Sequence, residues 1–375
     1  MLRKYLFPEV IYGENARERI ALSVKNMGFE KPLVVSDSGL EKAGWVDELI
    51  YMLNLDGINS YEIFTGVEIN PTEENVKNGV ELFKNKGCDG LIALGGGSAI
   101  DCAKCIGICA TNPGKIFDYK GVDRIIEAIP PLICLPTTSG SAADVSQFAI
   151  IRNQKKGIKY AIVSKMLLSD LSLVDPAYLS TLDQENTIFS GLDALSHSIE
   201  AMLSTGSSQL TDIYAMRSIE LIKKNLPLRI KEPTNLKARN QIHFASMLAG
   251  FAFSNASLGI MHAISHSLGG YTNLNHGYIN ASLLIPCIRF NYERSDNFSR
   301  LAESLNTKNE IESITNSIDN ILKQVDFIKY PISEIKDEKA LSQIASDALN
   351  DACMLTNPKD ATHKDIINII KQSFY

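Results

Sequence analysis

The chain has 375 residues, more than one ordinary compact domain, and its 45% hydrophobic and 21% charged residues are typical of a globular protein with a sizeable core. A net charge of −6 argues against a nucleic-acid-binding protein, which would need a basic surface. No apolar run is long enough to cross a bilayer, and the N-terminus lacks an apolar signal segment. We therefore expect a cytoplasmic protein with no nucleic-acid or membrane partner.

The first half of the chain alternates between strand-like and helix-like segments. Short apolar runs at 31–37, 60–67, 90–94 and 131–136 predict strands, 72–86 has helical periodicity, and 148–164 predicts a hairpin. Thr72 is the expected N-cap of the helix, and the turn of the hairpin is expected near Lys156 and Gly157. The alternation predicts an α/β domain over 1–180, with a mostly parallel sheet covered on both faces.

The pattern changes after about residue 181. Long helical segments at 183–203, 209–224 and 235–254 follow a connecting segment at 175–183, and further helices continue to the C-terminus. The second half, 181–375, is therefore predicted to be an all-α domain.

The seven cysteines are an odd number in a chain without a secretory signal, which disfavours a disulfide framework. Cys102, Cys105 and Cys109 are spaced three and four residues apart, so a helix places them on one face. A thiol metal site would need a second cysteine pair elsewhere, and the sequence lacks one. We interpret the three as apolar residues on the buried side of a helix.

Histidines in the second half predict a metal site. Asp193 and His197 are four residues apart, as are His262 and His266, so each pair projects from one face of a helix. His276 follows on an expected turn. A carboxylate with neutral imidazoles suits Zn²⁺ or Fe²⁺, whereas one such pair alone is more often a hydrogen-bonded core or surface feature. Spacing alone treats all five residues alike.

The first half contains a candidate cofactor site. The turn Gly95-Gly96-Gly97-Ser98 follows a strand and opens a helix, where backbone N–H groups can hold a phosphate, although a simple tight turn explains it equally well. Asp37 ends an early strand and could bind a ribose hydroxyl and repel a 2′-phosphate, or could simply cap a helix. The hydroxyl run 137–141 is either a loop or a further set of cofactor hydrogen-bond donors.

Together these residues resemble the iron-containing (group III) alcohol dehydrogenase family. The resemblance extends from FPEVIYGENA through VVSD, INPT, GGGSAIDCAK, PTTSGS, GLDALSHSIEA, HAISHSLGG and HGYINASLLIP to CMLTNPK. It implies an N-terminal α/β dinucleotide-binding domain and an all-α C-terminal domain, assembled as a homodimer or larger homo-oligomer. It also implies reversible hydride transfer between a short-chain primary alcohol, or its aldehyde, and a nicotinamide cofactor.

The resemblance assigns individual residues. The implied metal ligands are Asp193, His197, His262 and His276, and His266 is implied to be a non-ligand near the substrate that relays the proton. The implied cofactor-binding residues are Asp37, Asn70, Gly95, Gly96, Gly97, Ser98, Asp101, Thr137, Thr138 and Lys159. An acidic residue at Asp37 implies NAD rather than NADP. The metal is expected to be Fe²⁺, with Zn²⁺ possible, because both accept these ligands.

One loop departs from the family pattern. Where the family usually has Thr-Gly-Ser-Glu-Val, this chain has Ser141-Ala142-Ala143-Asp144-Val145. The departure leaves the metal ligands intact but puts the details of the cofactor loop and the substrate in doubt.

Three alternatives share the fold. A zinc-dependent polyol dehydrogenase, similar to glycerol dehydrogenase, uses fewer histidine ligands than this chain offers. A lyase similar to dehydroquinate synthase needs a cluster of Lys and Arg near the metal, and the segments around Asp193, His262 and His276 carry almost none. A non-catalytic regulatory relative stays open because of the altered loop.

Overall fold

The computed structural model describes residues 4–154, 157–272, 274–332 and 337–374. The chain forms two compact units. The α/β unit comprises Leu6–Thr138 and Ala142–Leu182, and the helical unit comprises Asp183–Tyr375 together with Met1–Tyr5 and Ser139–Ser141.

The α/β unit alternates strands and helices. Its strands are β1 (Glu9–Tyr12), β2 (Pro32–Val35), β3 (Glu62–Phe64), β4 (Gly90–Gly95), β5 (Gly121–Val122), β6 (Leu132–Pro136), β7 (Phe148–Asn153), β8 (Ile158–Val163) and β9 (Leu171–Val174). Its helices are α1 (Ile20–Met27), α2 (Ser38–Lys42), α3 (Trp45–Leu55), α4 (Glu73–Lys86) and α5 (Gly97–Thr111).

A six-stranded sheet forms the centre of this unit. Its order is β1-β9-β6-β4-β2-β3, and every pair in it is parallel, so the predicted mostly parallel sheet is confirmed. A smaller sheet has the order β5-β8-β7, in which β7 and β8 form the predicted antiparallel hairpin. Lys156, on the expected turn, lies outside the described residues.

Apolar side chains cover both faces of the large sheet. Along β4, Leu91 and Ala93 belong to a core that includes residues of α4 and α5, whereas Ile92 and Leu94 belong to a second core that includes residues of α1 and α3. Successive strand residues point to opposite faces, so a strand buried on both faces must be apolar throughout. This explains the unbroken apolar runs in the sequence.

The helical unit confirms the predicted all-α second half. Its helices are α6 (Gln184–Leu203), α7 (Gln209–Lys231), α8 (Leu236–Ala256), α9 (Ile260–Tyr271), α10 (His276–Asn291), α11 (Phe298–Ser304), α12 (Ile311–Gln324), α13 (Glu338–Leu349) and α14 (His363–Phe374). Helices α6, α7 and α8 pack on one another, and α10 packs on both α6 and α9. In the described part of the chain no single helix passes the length and hydropathy test for a membrane span, although α8 and α9, bent by 103°, pass it as a pair.

Local features agree with the sequence with one refinement. Thr72 caps α4 as expected, but its hydroxyl accepts from Asn75 N, and the Asn75 side chain accepts from Thr72 N in return. Cys102 and Cys105 are buried on α5 and Cys109 is half-buried, all as unpaired thiols.

Candidate functional site

Three of the candidate metal ligands converge in the helical unit. Asp193 lies on α6, His262 on α9 and His276 at the start of α10. Asp193 Oδ1 lies 4.0 Å from His262 Nε2 and 3.9 Å from His276 Nε2, and one ligand atom from each residue lies within 4.8 Å of the others. Tetrahedral ligands about 2.1 Å from a metal are ~3.4 Å apart, so shortening the two distances from Asp193 by roughly half an ångström would suit a divalent ion.

Asn280 marks the centre of this cluster. Its amide nitrogen lies 2.7 Å from Asp193 Oδ1, 3.1 Å from His262 Nε2 and 3.2 Å from His276 Nε2. Three potential metal-ligand atoms thus surround one electropositive NH2 group, while Asn280 Oδ1 is buried without a hydrogen-bond partner among the described residues. The donor set is therefore arranged to receive a cation, which is what a metal site requires.

His197 lies beside this cluster without joining it. Its Nδ1 is 4.0 Å from Asp193 Oδ2, and this nitrogen is buried with no hydrogen-bond partner in the described part of the chain. The ring is stacked on Phe253 and on His262, with centroids 4.4 Å apart in each case. Burial lowers the pKa of His197 to about 3 and that of His262 well below its ordinary value. Both rings are therefore neutral, as metal ligands must be.

The second nitrogen of each converging imidazole is also held. His262 Nδ1 lies 2.7 Å from a carboxylate oxygen of Glu200, and His276 Nδ1 lies 2.9 Å from Ser265 Oγ. These partners turn both Nε2 atoms toward Asp193. Burial raises the pKa of Glu200 to about 7 even though backbone N–H groups of α9 donate to it.

Glu200 and Asn280 were missed by the sequence analysis. Asp193, His197 and Glu200 follow at steps of four and three residues along α6, and Asn280 is four residues after His276. Polar residues at helical spacing in helices that are otherwise buried on every side were the available signal.

His266 has a partner of its own. Its Nδ1 lies 3.0 Å from Asp351 Oδ2, and its ring stacks in parallel on His276 with centroids 5.6 Å apart. Burial acts to raise the pKa of Asp351, but the charge and hydrogen bond of His266 outweigh it and the pKa falls below its usual value. His266 forms a separate group with Asp351 and Cys353. It thus lies next to the converging ligands with a carboxylate that fixes its orientation.

Most of the cofactor residues implied by the resemblance meet at one turn of the α/β unit. The glycine turn joins β4 to α5, Thr137 N donates to Gly95 O, and Asn70 N donates to Ser98 Oγ at 3.3 Å. A Cβ at Gly95 would lie 2.5 Å from Ala99 Cβ, and one at Gly96 would lie 3.0 Å from the Thr138 methyl group. The turn therefore needs glycine for close packing, and it ends at the N-terminus of α5, where the helix dipole and backbone N–H groups favour an anion.

Asp37 follows β2 and caps α2. Its Oδ1 accepts from Gly39 N at 2.8 Å and from Leu40 N at 3.1 Å. Its Oδ2 would lie 3.8 Å from a Cβ placed on Gly95, so the carboxylate also borders the glycine turn. Capping and cofactor binding are therefore compatible roles for this residue.

Asp101 and Lys159 lie outside this group. Asp101 is half-buried on α5, further along the helix than the turn. Lys159 is buried on β8 and pairs with Arg152 of β7, whose N–H donates to Pro71 O in the segment after Asn70. Strand β7, which carries Arg152, contacts the segment after Asn70, and Lys159 lies on the neighbouring strand β8.

The departing loop is held by a lysine that the sequence analysis did not name. Lys104 of α5 is fully buried, and its Nζ donates to the carbonyls of Ala143, Ser146 and Phe148 at 2.6, 2.7 and 2.9 Å.

Two residues of the same loop have a constrained backbone or side chain. Ala142 has φ +46°, the left-handed conformation that favours glycine. Asp144 is buried and accepts from Ser172 Oγ at 2.6 Å.

Comparison with known proteins identifies the family of the chain. The profile described as iron-containing alcohol dehydrogenase matches residues 8–176, and that of the C-terminal part of the Fe-containing alcohol dehydrogenase family matches residues 187–374. The chain is 35% identical to alcohol dehydrogenase 4 of Schizosaccharomyces pombe, covering 97% of this chain and 87% of that protein. It is also 35% identical to a 1,3-propanediol dehydrogenase of Citrobacter freundii, covering 99% and 98%.

Among solved structures, the crystal structure of a 1,3-propanediol oxidoreductase matches with a TM-score of 0.95 at 33% identity and covers 100% of both chains. A metal ion and a nicotinamide cofactor go with this family. The chain belongs to the iron-containing alcohol dehydrogenase family and is an oxidoreductase that acts on CH–OH groups.

Proposed function

We propose that the chain interconverts a short-chain primary alcohol and its aldehyde, with NAD as cofactor and a divalent metal held by Asp193, His197, His262 and His276. The convergence of Asp193, His262 and His276 on one point carries this proposal. We include His197 because its buried Nδ1 lies 4.0 Å from Asp193 Oδ2 and has no hydrogen-bond partner among the described residues. We propose Fe²⁺ as the ion, and Zn²⁺ is the alternative that the same donor set accepts.

Oxidation of an alcohol removes a hydride and a proton from the CH–OH group. When bound, the metal supplies the Lewis acidity that lowers the pKa of the hydroxyl, and the nicotinamide ring accepts the hydride. His266 accepts the hydroxyl proton and passes it toward solvent. Asp351 holds Nδ1 of His266, so the other ring nitrogen is the one that faces the substrate.

In the α/β unit, the glycine turn and the N-terminus of α5 hold the pyrophosphate of the cofactor. Asn70, Asp101, Thr137, Thr138 and Lys159 complete the proposed cofactor site. Asp37 accepts hydrogen bonds from the adenosine ribose and repels a 2′-phosphate, which favours NAD over NADP.

The substrate class follows from the relatives. The 1,3-propanediol dehydrogenase of Citrobacter freundii matches this chain over nearly its full length, so a small alcohol with a primary hydroxyl is the proposed substrate. We also propose a homodimer or larger homo-oligomer, which light scattering tests, and a cytoplasmic location, which cell fractionation tests.

Three histidine variants test the proposal. His262→Ala and His276→Ala are expected to lose both the metal and turnover, because each removes a ligand. His266→Ala is expected to retain the metal and to turn over about 100-fold more slowly, because it removes only the proton relay. Metal content is measured by elemental analysis of protein purified without oxygen, and turnover with NAD and ethanol, 1-butanol, 1,3-propanediol or glycerol.

Loss of metal from His266→Ala would overturn the division between ligands and proton relay. Turnover with glycerol well above that with the other alcohols would favour a polyol dehydrogenase. Absence of turnover with every alcohol in metal-loaded protein would favour a regulatory relative.

A further inference from the structure

The side chain of Glu200 joins two of the helices that carry the candidate metal ligands. Glu200 lies on α6, three residues after His197, and is buried. Its Oε1 accepts from Met261 N at 2.7 Å, and its Oε2 lies 3.0 Å from Gly259 N, 3.2 Å from His262 N and 2.7 Å from His262 Nδ1. One carboxylate thus receives three backbone N–H groups and one imidazole nitrogen at the start of α9.

These contacts fix the hydrogen on the imidazole. Three backbone N–H groups already donate to this carboxylate, and in its ionised form it only accepts hydrogen bonds, so His262 Nδ1 is then the protonated nitrogen. The lone pair of the neutral ring is then on Nε2, the atom that lies 4.0 Å from Asp193 Oδ1. The opposite tautomer would leave Nε2 protonated and unable to bind a metal.

The carboxylate itself has little freedom to move. Backbone N–H groups of a helix N-terminus hold it in place, and the positive end of the helix dipole favours its charge. The remaining N–H group of this turn, Ile260 N, donates to Asn357 Oδ1 at 3.1 Å. A partner fixed by backbone orients His262 more strictly than a mobile side chain would.

We infer that Glu200 is a positioning residue for the metal centre, which keeps the Nε2 lone pair of His262 directed at the ion; this inference rests on the proposed function. Glu200 contributes no ligand atom. It acts by selecting the tautomer and orientation of His262 and by placing a negative charge behind the ring, which makes the imidazole a stronger donor.

Gly259 provides an independent way to disturb the same contact. A Cβ at this position would lie 2.9 Å from Glu200 Oε1 and 2.7 Å from Asn357 Oδ1. The Gly259→Ala substitution therefore displaces both side chains from the N-terminus of α9 without removing the carboxylate.

The test measures metal affinity and the state of the ring separately. The affinity for Co²⁺ and for Zn²⁺ is measured by competition with a chromophoric chelator, well below the unfolding temperature. The tautomer of His262 is measured in metal-free protein from ¹⁵N shifts of labelled histidine. Asp212→Asn is the matched control for Glu200→Gln, since Asp212 is also a buried carboxylate of the helical unit but pairs with Arg300.

Glu200→Ala is expected to bind metal about 10- to 100-fold more weakly and to lose the single His262 tautomer. Gly259→Ala is also expected to bind metal more weakly and to lose the single His262 tautomer. Glu200→Gln keeps an oxygen that can accept from His262 Nδ1, so its metal affinity should fall less than that of Glu200→Ala. Asp212→Asn should bind metal as tightly as the native chain.

Native affinity and an unchanged tautomer in folded Glu200→Ala would overturn the inference, as would an equal loss of affinity in Asp212→Asn. If the native chain itself bound neither ion, the proposed function would fail. The ¹⁵N measurement would still decide whether Glu200 sets the tautomer, because it needs no metal.

Discussion

Asp37 combines a structural and a proposed functional role in one carboxylate. One oxygen caps α2, while the other borders the glycine turn. From the sequence alone the two roles are alternatives, because a single strand-end aspartate fits both. Only the packing of neighbouring parallel strands, β2 beside β4, shows that the same side chain can serve both.

The Asp37→Ser variant separates these roles. Serine retains the helix cap but removes the negative charge, so the fold should be kept while the repulsion of a 2′-phosphate is lost. We expect the ratio of kcat/KM for NADP to that for NAD to rise about tenfold or more, which corresponds to ~1.4 kcal/mol. Steady-state kinetics with both cofactors measure this ratio. An unchanged ratio with an unchanged unfolding temperature would show that Asp37 is only a cap.

Ala142 has a strained backbone conformation in the loop at 141–145, which departs from the family pattern. Its φ of +46° and ψ of +32° are left-handed, which costs a residue with a Cβ about 1–2 kcal/mol. We expect Ala142→Gly to raise the free energy of unfolding by about 1 kcal/mol, as measured by urea denaturation. Ala143→Gly is the control: Ala143 lies in a short 3-10 helix, where glycine should destabilise. Destabilisation by Ala142→Gly would contradict the strain argument.

Residue spacing predicted part of the proposed metal site and could not predict the rest. Asp193 and His262 were found because a carboxylate and histidines at helical spacing are unusual in apolar segments. Their partners were missed because a glutamate three residues further along a helix, or an asparagine four residues further, is common, and its meaning depends on which helix lies opposite. Glu200 gains its role only because α9 begins against it.

At the scale of secondary structure, strands and helices were easier to predict than their ends. The unbroken apolar runs of β4 and β6 follow from burial on both faces of the sheet, which the sequence shows directly. The ends depend on caps, and the N-terminus of α9 is capped by side chains from distant segments, Glu200 and Asn357. Glycine at the N-cap gives no side-chain signal there.

Lys104 links α5 to the loop that leads into β7. Its fully buried Nζ is shared by three carbonyls, and replacing it by methionine would leave them without that donor. We expect Lys104→Met to lower the free energy of unfolding by about 2–5 kcal/mol, measured by urea denaturation. Lys84→Met is the control, because Lys84 Nζ is exposed and, among the described residues, donates to a single carbonyl, that of Cys109. Its loss should therefore cost about 1 kcal/mol or less. Equal effects of the two substitutions would contradict this role.

At the scale of the whole chain, the change from alternating strands to helices predicts two domains, 1–180 and 181–375. The short segment Ser139–Ser141 could not have been assigned in this way. It belongs to the helical unit because Gly140 packs against the backbone of α6 at Ser190, where an added Cβ would lie 2.9 Å from three atoms. A contact between residues fifty positions apart leaves no local pattern in the sequence.

Each unit carries one of the two proposed sites, which leads to a prediction for metal removal. The four proposed ligands come from α6, α9 and α10, so metal binding should stabilise these helices together, by about 2.7 kcal/mol at a hundredfold excess over Kd. Without metal, the carboxyl group of Asp193 stays buried, as does His197 Nδ1, which has no hydrogen-bond partner in the described part of the chain. We expect a chelator to increase amide hydrogen exchange in α6, α9 and α10 while leaving exchange in β4 and α5 unchanged.

NAD is expected to slow amide hydrogen exchange in the turn between β4 and α5 and to leave exchange in the three helices unchanged. Hydrogen exchange followed by mass spectrometry measures both, and a uniform response of the whole chain to the chelator would show that the metal is not held by the helical unit alone.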